Sequence, residues 1–370
     1  MSENNIPLVD LKSNYKSIEK EVDAAIKKVM DNTSFINGPA VKEFEGNFSK
    51  FINTDYCIGV SSGLEALSIS LLCLDIGKGD EVILPANTFI ATALAVSSVG
   101  AKVILVDCDE NDLISIDQVE LAITDATKAI MPVHLYGRSV DMNALHKLAK
   151  QKGIYILEDA AQAHGSILNG VNAGSSGVAG CFSFYPGKNL GAFGDGGAIC
   201  TSDENLANRV RSYSNYGSNE KYVHDSLGSN NRLDSIQAAV LGVKLKYLPD
   251  WNKKRIAAAK NYEGLLKSLT QIERPILIED GSHVYHVYAI RIKASERDRV
   301  MKKIQAQGVG VSVHYPIPIH LQKAYAHLGL SEGAFPISEK HAKEMISLPI
   351  YPEITLEQQK RVVDVLKASL

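Results

Sequence analysis

Between Tyr56 and Thr201 the chain repeats one pattern, in which a short apolar run, a turn, a longer stretch with helical spacing and another apolar run follow one another. That alternation restricts the fold to strand-helix-strand units around a largely parallel sheet, an α/β architecture. The expected strands are Tyr56 to Val60, Glu81 to Leu84, Lys102 to Val106, Ala129 to Val133, Ile154 to Leu157, Cys181 to Phe184 and Ala198 to Thr201. Their apolar character is nearly continuous, so helices should cover both faces of the sheet. An amphipathic stretch from about Tyr15 to Asn32 precedes them, and Asp203 to Tyr216 and Ser235 to Tyr247 read as helices. Pro249 opens a long segment leading away from the first domain. The rest reads as a smaller α/β unit, with a strand at Val284 to Ile292 and a last helix at Leu356 to Ala368. The expected division is residues 1–248 and 249–370.

The chain can support two domains, since 45% of its 370 residues are hydrophobic and 22% are charged. Its 39 Lys and Arg against 42 Asp and Glu leave a net charge of -3, which gives no footprint for nucleic acid or an anionic membrane. A small-molecule partner fits better. Five scattered cysteines without CxxC spacing suit a reducing compartment. The amino terminus, Met-Ser-Glu-Asn-Asn, is polar, and no apolar run reaches the roughly 20 residues that cross a bilayer, so the expected location is the cytoplasm. His283 with His286, or His314 with His320, could be drawn as metal pairs, but no Cys or carboxylate cluster completes a ligand set and no metal is expected.

Three features fall at the ends of expected strands, where open α/β sheets place their ligands. Ser61-Ser62-Gly63-Leu64-Glu65 turns a strand into a helix and aims backbone N–H groups at an anion such as a phosphate; an ordinary helix cap would use the same residues. Glu158-Asp159-Ala160-Ala161-Gln162 follows Ile154 to Leu157 and supplies a carboxylate able to pair with a protonated pyridine nitrogen, or equally to cap a helix. Ser183-Phe184-Tyr185-Pro186-Gly187-Lys188-Asn189 places a lysine among apolar and glycine residues, where a partly desolvated amine can attack an aldehyde. Most lysines are surface charges; the anion corner and the acidic motif upstream set this one apart. The glycines from Gly191 to Gly197 do not lead from a strand into a helix, so they read as turns and not as a dinucleotide fingerprint.

With these segments in family order come Gly38-Pro39, Pro85-Ala86-Asn87-Thr88-Phe89, Val133-His134-Leu135-Tyr136-Gly137, Ala163-His164-Gly165, Asn231-Arg232-Leu233 and His314-Tyr315-Pro316. Jointly they make the chain resemble the DegT/StrS group of nucleotide-sugar aminotransferases. The resemblance implies the aspartate aminotransferase-type (type I) fold, a large domain with a mixed, mostly parallel sheet and a smaller C-terminal α/β domain. It implies pyridoxal 5'-phosphate as cofactor, in its amine form during part of turnover. Lys188 would bond to the cofactor and later shuttle a proton. Asp159 would pair with the ring nitrogen, and Gln162 with the ring hydroxyl. Phe89 and Ala161 would lie near the two ring faces, while Ser62, Gly63, Leu64 and Ser183 would hold the phosphate. Asn231 would reach the phosphate of a neighbouring subunit, making a homodimer with shared sites. Candidate sugar contacts are Tyr185, Arg232, His314, Tyr315 and His320. His134 and His164 read as packed structural histidines, and Phe184 and Tyr185 as either sheet core or sugar contacts.

The implied reaction moves an amino group from glutamate to a nucleotide-linked keto sugar. The segment from Phe184 to Gly197 and the run from His314 to His320 look most like members that aminate carbon 3 of a dTDP-linked 3-keto-6-deoxyhexose; amination at carbon 4 of a UDP- or GDP-linked sugar is the alternative. Lys188 argues against the related sugar dehydratases, which carry histidine there. A non-catalytic regulator would bring a basic patch or a helix-turn-helix segment, and neither is apparent. A nicotinamide oxidoreductase lacks its G-x-G-x-x-G after the first strand.

Overall fold

A computed structural model of the chain describes residues 5–370. The strands of its first part are β1 (Tyr56–Val60), β2 (Glu81–Pro85), β3 (Lys102–Val106), β4 (Thr127–Ile130), β5 (Tyr155–Asp159), β6 (Ile167–Leu168), β7 (Val171–Asn172), β8 (Ala179–Ser183) and β9 (Gly197–Thr201). Its helices are α1 (Leu11–Asp31), α2 (Pro39–Ile52), α3 (Gly63–Cys73), α4 (Ile90–Ser98), α5 (Ile116–Ala122), α6 (Met142–Lys152), α7 (Glu204–Ser214) and α8 (Ser235–Leu245). Seven strands form one sheet in the order β1-β9-β8-β5-β4-β2-β3. Only β9 runs against its neighbours, so the sheet is mixed but mostly parallel, as expected.

Both sheet faces are dry, and residue parity decides which helix layer each side chain meets. Val82, Leu84, Cys181 and Ile199 face a core built with α3, α4 and α7. Ile83, Ile130 and Ile156 face the α6 side, and Phe182, Ala198 and Cys200 face α2 and α8. This two-sided burial is why the strands read as continuous apolar runs. β4 stops earlier than the expected Ala129 to Val133 because Pro132 has no N–H to give to the ladder. The small hairpin β6–β7 was not anticipated, although Asn169-Gly170 at its tip, with φ of 53° and 80°, carries the usual two-residue turn signal.

The remaining chain forms α9 (Leu248–Leu266), β10 (Tyr288–Arg291), α10 (Ala294–Ala306), α11 (Pro336–Glu344), β11 (Met345–Leu348) and α12 (Leu356–Ser369). β10 and β11 pair antiparallel, and Tyr262, Ile290, Val300, Ile346 and Val362 build a separate core under them. Ile6 from the N-terminal segment packs into this core, and its backbone bridges to Val309. Ile319, Tyr325 and Phe335 instead return to the core beneath α3 and α4.

One buried carboxylate ties β5 to the hairpin region. Glu158 accepts hydrogen bonds from the N–H groups of Ser176 (2.7 Å), Gly177 (2.6 Å) and Gly174 (2.8 Å), and pairs with His134 Nε2 at 2.8 Å. His134 Nδ1 accepts from the Val140 N–H at 3.0 Å, which leaves Nε2 as the donor toward Glu158. Burial pushes the Glu158 carboxyl up, but His134 and the three N–H groups outweigh it and hold the pKa below the ordinary value. Glu158→Ala should therefore cost about 3–5 kcal/mol, because it strands several buried donors. For a depressed carboxyl the stabilisation is present above the unfolded pKa, about 4.3, and is lost as pH falls through the lower folded value. Urea denaturation of wild type and Glu158→Gln should differ most near neutrality and converge in acid; a pH-independent difference would refute this account.

Candidate active site

Residues from five strand ends converge on one edge of the sheet. The parallel strands β1, β2, β4, β5 and β8 all finish there, so Ser62, Thr88, His134, Asp159 and Ser183 emerge on the same side. Asp159 and Glu158 are adjacent on a strand and point to opposite faces. While Glu158 is spent on structure, Asp159 turns toward α4, where its Oδ2 accepts from Thr92 Oγ1 at 2.8 Å and its Oδ1 from the Ala161 N–H at 3.1 Å. Thr88 Oγ1 lies 3.0 Å from that of Thr92. Burial raises the Asp159 pKa against the pull of Thr92, Ala161 and Lys188. A buried carboxylate with spare lone pairs is a strong acceptor for a cationic ring N–H.

Lys188 sits on the loop between β8 and β9, which folds back on itself. Its N–H donates to the Tyr185 carbonyl at 2.8 Å, Ala192 N–H to the Phe184 carbonyl at 2.8 Å, and a Cβ at Gly191 would lie 2.3 Å from the Pro186 carbonyl. The next residue clamps the loop to distant parts of the chain. Asn189 Nδ2 donates to Asn252 Oδ1 (3.0 Å) and to the Val284 carbonyl (3.1 Å), and its Oδ1 faces His286 Nδ1 at 3.2 Å. Asn252 in turn donates to the His164 carbonyl at 2.8 Å. Among the described residues the Lys188 amine makes no salt bridge, and burial lowers its pKa to about 8, with Asp159 pulling it up. About a tenth of such an amine is uncharged at pH 7, against well under one in a thousand for an ordinary lysine.

The anion corner is real in three dimensions. Ser62 caps α3 by accepting from the Glu65 N–H at 3.1 Å, which leaves the first N–H groups of the helix, at Gly63 and Leu64, pointing outward. Ser183 closes the other side so tightly that a Cβ on Gly63 would lie 2.6 Å from the serine Cβ. Gly197 is equally constrained, since its Cβ would meet the Ser62 carbonyl at 2.3 Å. Phe89 and Tyr315 form an aromatic wall with ring centroids 5.1 Å apart. Gln162 bridges the floor, its Oε1 accepting from the Tyr136 N–H (2.6 Å) and its Nε2 donating to the Tyr315 hydroxyl (3.0 Å). One amide N–H of Gln162 stays free for a ligand.

The other anticipated residues divide. His314 is bonded through Nδ1 to Ser347 Oγ at 2.8 Å, and burial and then Lys188 lower its pKa to about 4. Tyr185 is exposed beside the loop, while Phe184 belongs to the core. His320 is a correction to the expected sugar contacts: the chain turns inward after Pro318, Ile319 N–H donates to the Ala86 carbonyl, and His320 is buried against Phe335 with Nε2 2.9 Å from Glu339. Arg232 donates to Asn215 Oδ1 at 2.8 Å and lies over the Tyr216 ring, 5.2 Å from its centroid. Asn231 is held within its own chain: its Oδ1 accepts from Ser61 Oγ (2.9 Å) and its Nδ2 donates to Glu65 Oε2 (3.0 Å) and Ser229 Oγ (2.8 Å). Both histidines read as structural are buried, His164 lying near Phe182 and Phe184. Thr92 and Asn252 went unnoticed in the sequence; Asn189 was read only as part of the lysine motif, and His286 only as half of a metal pair that was set aside. Among the described residues, Cys108, Asp112 and His341 bring possible metal-ligand atoms within 4.8 Å, but Arg291 Nη1 lies 3.2 Å from Asp112 and already supplies the positive charge.

Comparison with known proteins identifies this constellation. The sequence profile of the DegT/DnrJ/EryC1/StrS aminotransferase family matches residues 16–367. The chain belongs to that family. It is 44% identical over 364 residues to dTDP-3-amino-3,4,6-trideoxy-alpha-D-glucose transaminase of Streptomyces venezuelae, covering 98% of this chain and 95% of that protein. It is 45% identical over 361 residues to dTDP-3-amino-3,6-dideoxy-alpha-D-galactopyranose transaminase of Aneurinibacillus thermoaerophilus, covering 97% and 98%. The crystal structure of S. venezuelae DesV in complex with a ketimine intermediate superposes with a TM-score of 0.95 at 44% identity over 98% of each chain. The family's fold is the type I fold and its cofactor is pyridoxal phosphate. The residues present fit that group: a buried carboxylate held by one hydroxyl and one N–H, a desolvated amine near enough to feel it, and a corner that any side chain at Gly63 would fill.

Lys188 also sets a stability test. Its folded pKa, about 8, lies below the unfolded value, so the native state resists the proton and stability rises with pH between the two. Without cofactor, Lys188→Met should melt higher than wild type at pH 7, and the gap should close as pH approaches about 10.4. Equal melting temperatures at pH 7 would mean that the amine is fully solvated.

Proposed function

We propose that this chain transfers the amino group of glutamate to carbon 3 of a dTDP-linked 3-keto-6-deoxyhexose, giving the dTDP-3-amino-3,6-dideoxyhexose. The observation that carries the reading is a desolvated Lys188 amine near enough to the Asp159 carboxylate for each to shift the other, on a chain similar to dTDP-3-amino sugar transaminases. Pyridoxal phosphate supplies an aldehyde for amine exchange and an electron-withdrawing ring that eases proton loss from the adjoining carbon. Ser62, Ser183 and the N–H groups of Gly63 and Leu64 bind its phosphate. Asp159, oriented by Thr92, keeps the ring nitrogen protonated. Gln162 donates its remaining amide N–H to the ring hydroxyl, and Phe89 and Ala161 border the two faces. Lys188 would hold the cofactor through its aldehyde, and its amine would move the proton at the reacting carbon. Tyr185, His314 and Tyr315 border the space left for the sugar.

The working unit in this reading is a homodimer. The segment leading to Asn231 presents Tyr222 and Leu227 almost fully exposed, at 84% and 92%, which favours cover by a second copy. Asn231 would then bridge its own α3 and the phosphate site of the partner. Among the described residues no helix is long and apolar enough to cross a membrane, and five buried, unpaired cysteines favour the reducing cytoplasm.

Two measurements test these readings. The purified enzyme, given glutamate and each keto sugar in turn, should aminate the dTDP-3-keto sugar far faster than a UDP- or GDP-4-keto sugar, because one pocket cannot bring both carbons within about 3–3.5 Å of the reacting atom. The opposite preference, read by product mass, would overturn the substrate assignment. A mixture of Lys188→Ala and Asn231→Ala chains, each inactive or impaired alone, should regain activity as mixed dimers form; a fully active monomer in sedimentation would refute the shared site.

A further inference from the structure

Gln162 and Tyr315 belong to a hydrogen-bond chain that runs in one direction and ends on an unspent proton. The backbone N–H of Tyr136 can only donate, so the Gln162 atom it meets at 2.6 Å is the carbonyl oxygen Oε1, and the amide nitrogen Nε2 is the atom turned to the Tyr315 hydroxyl at 3.0 Å. An amide nitrogen also only donates. Tyr315 Oη therefore accepts from Gln162, and its own O–H must point elsewhere. Among the described residues that proton meets no acceptor, and neither does the second N–H of Gln162.

Tyr136 sets both groups. Its backbone lies in the left-handed region, with φ of 59°, a conformation that costs an L-residue free energy and here turns its N–H onto Gln162. Its carbonyl accepts from the His286 N–H at 2.8 Å, and its hydroxyl donates to the His314 carbonyl, one bond before Tyr315. Gln162 and Tyr136 are buried, and Tyr315 is half-buried against Phe89, with ring centroids 5.1 Å apart. Burial and then Asp159 push the Tyr315 phenol above its ordinary pKa, so it keeps its proton through the neutral range.

Two donors 3.0 Å apart, each with one hydrogen to spare, can share a single oxygen and stabilise negative charge on it. We propose that Tyr315 contacts the cofactor: its hydroxyl and the second N–H of Gln162 converge on the ring oxygen of pyridoxal phosphate and hold that oxygen as an anion. This rests on the proposed transamination and on the place that reading gives the ring. A sugar oxygen is the competing acceptor. Asp159, assigned to the ring nitrogen, is near enough to Tyr315 to raise its pKa, and Phe89, assigned to a ring face, packs on the Tyr315 ring, so the hydroxyl belongs beside the cofactor ring.

A hydrogen bond to the ring oxygen favours the form with more negative charge there, so it lowers the pH at which the cofactor joined to Lys188 loses its proton and shifts its visible absorbance. Tyr315→Phe removes one hydroxyl and keeps the ring. In the loaded enzyme without substrate, it should move that absorbance titration up by about one pH unit. Tyr185→Phe, on the sugar side, should leave the titration in place. Cofactor affinity gives a second readout: Tyr315→Phe should weaken binding of pyridoxal phosphate about tenfold and leave binding of the analogue that lacks the ring hydroxyl unchanged. Should Tyr315→Phe fail to fold, a ring-fluorinated tyrosine at position 315, a stronger donor of the same shape, should move the titration down. An unmoved titration in either protein, or equal losses of affinity for the two compounds, would overturn the proposal. A higher KM for the sugar with an unmoved titration would return Tyr315 to the sugar and leave the transamination standing. A wild-type protein that takes up no pyridoxal phosphate would sink the transamination, and this contact with it.

Discussion

Two carboxylates leave the end of β5 side by side, and the pleat of the strand sends them to opposite faces. Glu158 goes to the side where three backbone N–H groups and His134 wait for it, and it pins the β6–β7 region to the sheet. Asp159 goes to the α4 side with one threonine hydroxyl and one N–H, enough to orient it but not to use up its charge. A slip of one residue in the register of β5 would exchange them, leaving a satisfied anion at the reaction centre and an unsatisfied one in the core. The β5–β8 pairing, with Asp159 opposite Cys181, thus fixes which carboxylate each face receives.

The lysine loop depends on a different kind of support. Asn189 joins it to α9 through Asn252 and to the C-terminal part through Val284 and His286. Lys188 is thereby positioned by side chains that the sheet does not provide. Holding an amine where water is scarce opposes its protonation, and burial lowers the Lys188 pKa to about 8 against the pull of Asp159. The same region buries Lys244 and Arg255, so the chain concentrates desolvated cations around one loop. Such local cost at a site, offset by a large apolar core elsewhere, is the usual balance between stability and activity.

Much of this was legible in the sequence, because the responsible signals are local. Strands covered on both faces give continuous apolar runs, and all seven strands of the main sheet lie where those runs do. The anion corner needs only a cap serine, a glycine and the start of a helix, and it is found at Ser62 and Gly63. Asp159 and Lys188 were singled out by motif, and the fold brings them near enough for each to shift the other's pKa. The run from His314 to His320 was read as one unit, yet it divides: His314 and Tyr315 stay with the site, while the turn at Ile319 carries His320 to Glu339.

What the sequence alone determined is therefore the layer architecture, the order of the strand-helix units and the residues at strand ends, since periodicity and turn chemistry act over a few neighbouring positions. The tertiary structure decided which of two adjacent acids is fully paired and which keeps spare acceptor capacity, because that depends on what each face packs against. It also decided that Asn252, Val284 and His286 hold the lysine loop. These contacts join residues tens of positions apart through single hydrogen bonds, which leave no period or composition in the chain to read.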